Sequence, residues 1–459
     1  MNFNKINFFY FLGIGGIGMS SIARYFHFMG KKVCGHDKNK TYLTQKLEEE
    51  GISINYRDCI KMLPEWIHSK ECLIVYTPAI PNDNKQWIYL KKYGKNIKKR
   101  SKVLSSIAKN GICIAIGGTH GKTTTCALLG HILYNSGFSI TAFLGGISEN
   151  YQSNIILNGS KFFLVEADEF DRSFLHLSPN IACVTSFDQD HVDIYPKKYV
   201  LRKAYLSFLK KIKKPYRKVF LLQEESLILK NAIYYSITKK ANYYSNNILT
   251  KENKWYFDFH TPTETWKSLP LPIPGIHNLK NVTAALSISD YLKINQEKVR
   301  ESLLSFQGIK RRYYIHYQSK RKVYIDDYAH HPTEINFLIK TVRDCFPGKK
   351  ILGIFQPHLF SRTKFFEESF AKSLEKLDIL ILLDIYPARE FLLNEIINSN
   401  SLLKKVKMDS NKKELSTLSN VLKIIEKKHF DIILTIGAGD IDTLITPIKK
   451  WLYKNDLEK

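Results

Sequence analysis

Short apolar runs recur along the chain, and each gives way abruptly to glycine or to acidic, histidine or amide residues. Phe8-Phe-Tyr-Phe-Leu12 runs into Gly13, Cys72-Leu-Ile-Val-Tyr76 into Thr77-Pro-Ala79, and Ile114-Ala-Ile116 into Gly117-Gly118. Phe162-Phe-Leu-Val165 leads to Glu166-Ala-Asp168-Glu169, and Ile181-Ala-Cys-Val-Thr-Ser186 to Asp188-Gln-Asp190-His191. Towards the C-terminus, residues 322–325 end in Asp326-Asp327, 350–355 in Gln356-Pro-His358, 379–383 in Asp384, and 431–436 in Gly437-Ala-Gly439-Asp440. Uninterrupted apolar runs of this length predict strands buried on both faces, as in parallel sheets. Between them lie stretches with helical apolar spacing, such as 19–29 and 282–288, so the alternation predicts an α/β fold. The stretch 219–270 carries only short, polar-interrupted strands and no motif.

A chain of 459 residues suggests about three domains on length alone. The strand and motif pattern divides it into 1–109, 110–312 and 313–459. Ligands of open parallel sheets collect beyond the carboxyl ends of the strands, which is where the polar residues stand.

Two of these ends are glycine turns. In Ile114-Ala-Ile-Gly-Gly-Thr-His-Gly-Lys-Thr-Thr-Thr125 the strand passes through glycines into a helix starting near Lys122. Backbone N–H groups and the helix N-terminus converge there on one small volume, Lys122 adds a full charge, and the Thr123 hydroxyl suits Mg²⁺. The Gly117-x-x-x-Gly121-Lys122-Thr123 spacing is one residue tighter than the usual P-loop, but the cluster predicts nucleoside triphosphate binding. Glu166 and His191 fall at neighbouring strand ends, beside this loop, where Mg²⁺ would bridge protein and triphosphate. The other turn, Gly13-x-Gly15-Gly16-x-Gly18, has Asp37 about 20 residues on, as in dinucleotide-binding folds. It suits any nucleotide diphosphate equally, and no nicotinamide chemistry follows downstream. His277 and Asn278 stand at a loop-to-helix junction, where they can bond a base or ribose or simply cap the helix.

Composition alters this picture little. No apolar run reaches the roughly 18 residues that span a bilayer. Phe8–Leu12 faintly resembles a signal segment but is cut short by the glycine turn, so a cytoplasmic protein without membrane partners is expected. Seven cysteines without a C-x-x-C pair argue against disulfides and zinc. The net charge of +26 raises nucleic acid as a partner. The lysines are scattered in patches rather than gathered in one arm, so solvated faces and phosphate-rich substrates are the better reading, with no nucleic acid bound.

Several blocks occur together in one order: Gly13-Ile-Gly-Gly-Ile-Gly-Met19, Gly118-Thr-His-Gly-Lys-Thr-Thr-Thr125, Glu166-Ala-Asp-Glu169, Asp190-His191, His277-Asn278, Phe306-Gln-Gly308 with Arg311-Arg312, Asp326-Asp-Tyr-Ala-His-His-Pro-Thr-Glu334 and Phe355-Gln-Pro-His358. Over nearly its whole length the chain resembles the Mur ligases. The resemblance implies a Rossmann-like N-terminal domain for a UDP-sugar, a central P-loop ATPase domain and a Rossmann-like C-terminal domain for the amino acid. It implies ATP-dependent joining of L-alanine to UDP-N-acetylmuramate through an acyl phosphate, by a monomer or homodimer.

On the same ground Gly13, Gly15, Gly16, Gly18, Asp37, Thr77 and Ala79 would bind the UDP-sugar. Gly118, Thr119, His120, Gly121, Lys122, Thr123, Thr124, His277, Asn278, Asn281, Arg311, Arg312 and Asp327 would bind ATP. Thr123 and Glu166 would hold one Mg²⁺ and His191 a second, and His330 and Arg362 would receive L-alanine. The chain departs from the common pattern at Phe170, Ser186, Asp188, Ile276 and Leu359. Leu206 stands where sister ligases that add later residues carry a carbamylated lysine, which favours the alanine-adding member. Two alternatives stand beside it: a ligase that recycles UDP-N-acetylmuramate with a tripeptide, and a P-loop ATPase stimulated by nucleic acid.

Overall fold

A computed structural model of the chain describes residues 1, 3–192, 194–225, 227–251, 254–388, 390 and 397–457. Three sheets follow one another. In the first, β1 (Phe8–Leu12), β2 (Lys32–His36), β3 (Ser53–Asn55), β4 (Cys72–Tyr76) and β5 (Ile97–Lys99) are all parallel in the order β3-β2-β1-β4-β5. The glycine turn leaves the central strand β1, and the helix Ile17–Phe28 follows it.

The second sheet contains β6 (Ile112–Gly117), β7 (Ile140–Ser148), β8 (Ser153–Asn158), β9 (Phe162–Ala167), β10 (Ile181–Val184), β11 (Lys218–Leu222), β12 (Ile233–Ser236), β13 (Tyr243–Lys251), β14 (Lys254–His260) and β15 (Thr265–Leu271). Its order is β15-β14-β13-β12-β11-β10-β6-β9-β7-β8, with antiparallel pairs only at the two margins. The stretch that sequence patterning left without motifs therefore extends the sheet by five strands. β6 lies between β9 and β10, so the ends carrying Gly117, Glu166 and Thr185 are neighbours. The helix Lys122–Asn135 is apolar and buried on nearly every side, sandwiched between this sheet and the helix Ile276–Tyr291.

That second helix begins earlier than the apolar spacing at 282–288 indicates. Gly275, at φ 107°, lets the chain turn directly into it, and Asn278 Nδ2 donates to Pro274 O at 2.8 Å. His277, Asn278 and Asn281 thus project from its first turns rather than from a loop.

The third sheet has β16 (Tyr314–Gln318), β17 (Val323–Asp327), β18 (Ile351–Phe355), β19 (Ile379–Leu383), β20 (Lys413–Ser416) and β21 (Ile432–Ile436) in the order β16-β17-β21-β18-β19-β20, parallel but for β16. The first sheet is pinned to the second by Asn154 of β8, which is fully buried. Its Nδ2 donates to Ile17 O at 2.6 Å and Ser20 Oγ at 2.9 Å, while its Oδ1 accepts from Arg24, whose other nitrogens grip Glu50. A buried amide with both ends satisfied fixes the orientation of the two elements it joins.

Candidate functional site

Two left-handed glycines shape the loop after β6. At Gly118 (φ 126°) a Cβ would sit 2.1 Å from Thr185 Oγ1, and at Gly121 (φ 83°) 2.1 Å from Asn281 Oδ1. Any side chain at either position would clash as well as strain the backbone. Lys122 Nζ folds back to Gly118 O at 2.7 Å and pairs with the buried carboxylate of Glu169 at 2.8 Å. Burial works against the lysine charge, but Glu169, Asp168 and Glu166 outweigh it and hold the pKa above its ordinary value. Tyr205 Oη receives the Gly118 N–H at 2.9 Å and donates to Glu169 at 3.2 Å, which braces the loop from below. Thr119 and His120 are tied to the β10 end by bonds to Asp188 O and Ser186 Oγ.

Beside the loop, Thr123 Oγ1 donates to Glu166 Oε2 at 3.1 Å, and Glu166 Oε1 accepts from Gly145 N. Burial pushes the Glu166 carboxyl up from its ordinary value, against those two bonds and Lys122. Asp168, Glu169 and His191 offer ligand atoms within 4.8 Å of one another, and His191 Nδ1 is buried with no hydrogen-bond partner among the described residues. Carboxylate and hydroxyl oxygens with one imidazole form a donor set that fits Mg²⁺. The expected ligands Thr123 and Glu166 therefore touch, while His191 sits with Asp168 and Glu169.

A cleft of about 480 Å³ opens between the phosphate loop and the third sheet. Lys122, Thr123, Thr124, His277, Asn278, Asn281, Arg312, Asp327, His330 and Glu334 line it, together with His120, Asp168 and Asp190. Burial lowers His277 to about 4, so its ring is neutral, and it stacks on Phe337 at 5.4 Å. Burial likewise raises Asp327 to about 6; its oxygens accept from Tyr313 N and Ala329 N, both at 2.7 Å. Arg311 turns away from the cleft, to Asp326 at 3.2 Å and Gly437 O at 2.6 Å, leaving Arg312 as the arginine that faces in.

Polar contacts tie the third domain to the phosphate loop and to the segment after β10. His120 Nδ1 bonds Glu334 at 3.0 Å and its Nε2 lies 3.3 Å from Asp188. Arg362, 4% exposed, grips Asp190 through Nε and Nη2 at 3.0 and 3.1 Å. Burial opposes the Asp190 charge, but Arg362 outweighs it and holds the carboxyl well below the usual range. His330 is lowered to about 4, chiefly by burial; its Nδ1 lies 2.8 Å from Tyr328 O, so this nitrogen carries the proton and Nε2 is the free acceptor.

A second cavity, of about 240 Å³, lies between the glycine turn of the first sheet and the second sheet. Gly16, Gly18, Thr77 and Arg100 line one side, and Gly145, Glu166 and Asp168 the other. Asp168 borders both spaces. Asp37 is committed locally: its carboxylate accepts the N–H groups of Gly15 at 2.8 Å and Asn39 at 3.2 Å, which fixes the turn. Gly13 packs on Thr77, while Ala79 is exposed and borders neither cavity. Motif spacing pointed to neither Asp190 and Glu334 as tethers nor to Arg100. The first two stand inside recognisable blocks, whereas Arg100 is lost in the lysine-rich run 91–102.

Comparison with known proteins covers almost the whole chain. A model described as "Mur ligase family, catalytic domain" matches residues 8–111, the "Mur ligase middle domain" matches 116–289, and "Mur ligase, glutamate ligase domain" matches 311–439. A protein of Flavobacterium psychrophilum named UDP-N-acetylmuramate–L-alanine ligase is 47% identical over 98% of this chain and 99% of its own. One of the same name from Flavobacterium johnsoniae is 44% identical over 99% and 100%. Among solved structures, the UDP-N-acetylmuramate–alanine ligase of Thermotoga maritima superposes with a TM-score of 0.83 at 26% identity, covering 97% of this chain and 99% of that one. A murein peptide ligase from Psychrobacter arcticus shares the fold, with a TM-score of 0.72 at 19% identity over 98% and 99%.

Proposed function

Because the chain belongs to the Mur ligase family, we infer that it joins L-alanine to the lactyl carboxylate of UDP-N-acetylmuramate at the expense of ATP, in peptidoglycan precursor synthesis. It is an ATP-dependent amide-forming ligase, and its action on soluble nucleotide-linked precursors suits the cytoplasm. The observation that carries the reading beyond kinship is the pair of cavities flanking one acidic wall: the wider cleft reaches the phosphate loop, the narrower one the first glycine turn, and Asp168 borders both.

A carboxylate is a poor electrophile, so amide formation needs a better leaving group than oxide. The lactyl carboxylate oxygen attacks the γ-phosphorus of ATP, ADP leaves, and an acyl phosphate results. The alanine amine then adds to the acyl carbon, and the C–O bond to phosphate breaks as the tetrahedral intermediate collapses. Phosphoryl transfer asks the protein chiefly for positioning and charge neutralisation. Bringing carboxylate and phosphate to 4 Å costs about 4 kcal/mol at an effective dielectric of 20. Lys122 keeps its charge for that task because Glu169 secures it. Thr123 with Glu166, and His191 with Asp168 and Glu169, are the groups that would hold Mg²⁺, which when bound would add to the neutralisation of the triphosphate.

His277, Asn278, Asn281 and Arg312 are the contacts for the nucleotide. Amide formation requires alanine as the free amine. His330 is suited to take its proton, because its ring is neutral at pH 7 with Nε2 free; Arg362, expected as the cation for its carboxylate, is committed to Asp190 and lines neither cavity, so it would have to release Asp190 to take that part. Phosphate release measured with ATP, UDP-N-acetylmuramate and L-alanine, glycine, L-serine or the L-alanyl-γ-D-glutamyl-diaminopimelate tripeptide tests the reading. L-Alanine should support the highest kcat/KM; turnover with the tripeptide but not with L-alanine would make the protein a recycling ligase instead.

A further inference from the structure

Two lysine runs that lie about a hundred residues apart in the chain, 91–102 and 210–218, are brought towards one another by the fold. Lys211 Nζ donates to Leu175 O, next to His176. Burial lowers the pKa of His176, and Lys102, Lys99 and Lys211 lower it further, so cations of both runs stand within electrostatic reach of one ring. Where the helix Arg100–Ala108 passes into β6, a cavity of about 570 Å³ opens at the amino ends of β6, β9 and β10. Lys109, Lys161, Lys213 and Lys214 line it, and none of its lining residues is acidic. None of the four is paired with a described carboxylate.

The walls of this cavity are fixed by the backbone. Asn180, 8% exposed, accepts from Cys113 N at 2.8 Å and donates to Lys214 O at 3.0 Å, while Lys213 N donates to Pro179 O at 2.8 Å. These bonds hold the segment carrying Lys213 and Lys214 against the starts of β6 and β10. On the other side, a Cβ on Gly111 would lie 2.7 Å from both Ser160 O and Lys161 O, so glycine is what lets the turn before β6 approach the loop carrying Lys161. Like charges set around a preformed concavity repel one another and focus a positive potential in it. An anion of several charges relieves that repulsion.

We propose that this cavity is a second anion site, outside the ligase reaction, that takes a compact oligophosphate: a chain of three or more phosphoryl groups, free or carried by a nucleoside. Its volume is that of a small-molecule pocket, roughly 300–1,000 Å³. No aromatic side chain lines it, so a single-stranded nucleic acid finds no stacking platform. It is concave, whereas a lipid surface meets a basic face that lies flat against it. β6 is six residues long, so at about 3.3 Å per residue this edge is roughly 17 Å from the phosphate loop, and one ligand cannot occupy both.

Calorimetric titration of tripolyphosphate into protein already saturated with AMP-PNP, with Mg²⁺ in excess of both, tests the assignment. The wild type should bind one further equivalent, more weakly as salt rises. Lys161→Ala and Lys213→Ala should each weaken it roughly three- to fivefold, and Lys213→Glu with Lys214→Glu roughly 50-fold. Melting temperature, AMP-PNP affinity and KM for ATP should not change in any of them. GTP in place of tripolyphosphate separates the two sources of the phosphate chain: equal affinity means that the chain alone is read, tighter binding that the nucleoside enters too, and either supports the site. No binding to the saturated wild type, or binding that the lysine variants leave intact, would overturn it. So would anionic vesicles or a thymidine oligonucleotide that bind through these lysines while tripolyphosphate does not.

Discussion

His120 stands where the phosphate loop meets the third sheet, between Asp188 and Glu334. Burial works against its charge, but the two carboxylates prevail and raise its pKa to about 9. A group whose pKa is raised on folding stabilises fully below its unfolded value, near 6.5, and loses that contribution as pH climbs through the folded one. The contact between loop and third sheet should therefore weaken from about pH 7 to 9, with an effect on the order of 3 kcal/mol. Melting temperatures of wild type and His120→Gln, compared across that range, should converge as the pH rises; parallel curves would show that the imidazolium contributes nothing. Glu334 lies 214 positions away in sequence, and that distance explains which single residues could be read in advance. Lys122, Thr123 and Glu166 announce themselves by their place at a strand end or loop. The partners that hold them, Glu169 for Lys122 and Asp190 for Arg362, are set by contacts between elements, which spacing does not encode. Arg311 and Arg312 are adjacent and chemically identical, and only the course of the backbone decides which one enters the cleft.

At the level of elements, the glycine turns carry the strictest requirement. Gly121 combines φ 83° with a Cβ position 2.1 Å from Asn281 Oδ1, and both belong to the segments that enclose the wider cleft. Gly121→Ala should push the loop from the helix Ile276–Tyr291 and weaken ATP binding at least roughly tenfold, an effect of the size expected for a forced left-handed residue. UDP binding should be unaffected, because the first glycine turn lies on another sheet. Calorimetric titration with both nucleotides checks this, and a parallel loss of UDP would point to general unfolding. The parallel strands were legible because burial on both faces leaves an unbroken apolar run. The margin β13–β15 was not, because antiparallel strands with one solvated face alternate with polar residues, and two register shifts break the alternation further. The early start of the helix at Ile276 escaped notice for a related reason: its first turn faces the cleft and carries polar residues where periodicity looks for apolar ones.

Across the whole molecule, three sheets bring their polar strand ends to one region, held there by different means. The first is bound to the second through Asn154 and Arg24, and the third touches the phosphate loop through Glu334 with His120 and the segment after β10 through Arg362 with Asp190. The order of the sheets along the chain was readable from the strand-and-motif pattern, since each carries its own set of polar ends. The tethers between them were not, since buried amides and ion pairs have no period. The net charge of +26 accords with substrates that carry a diphosphate and a triphosphate. The central claim is that this region turns a carboxylate into an acyl phosphate before an amine attacks it. It is tested most directly with UDP-N-acetylmuramate labelled with oxygen-18 in both oxygens of the lactyl carboxylate. Mass analysis of the inorganic phosphate released during L-alanine ligation should find one labelled oxygen in each phosphate, because the attacking oxygen leaves with phosphorus. Phosphate free of label, with amide product formed at the same rate, would contradict the account.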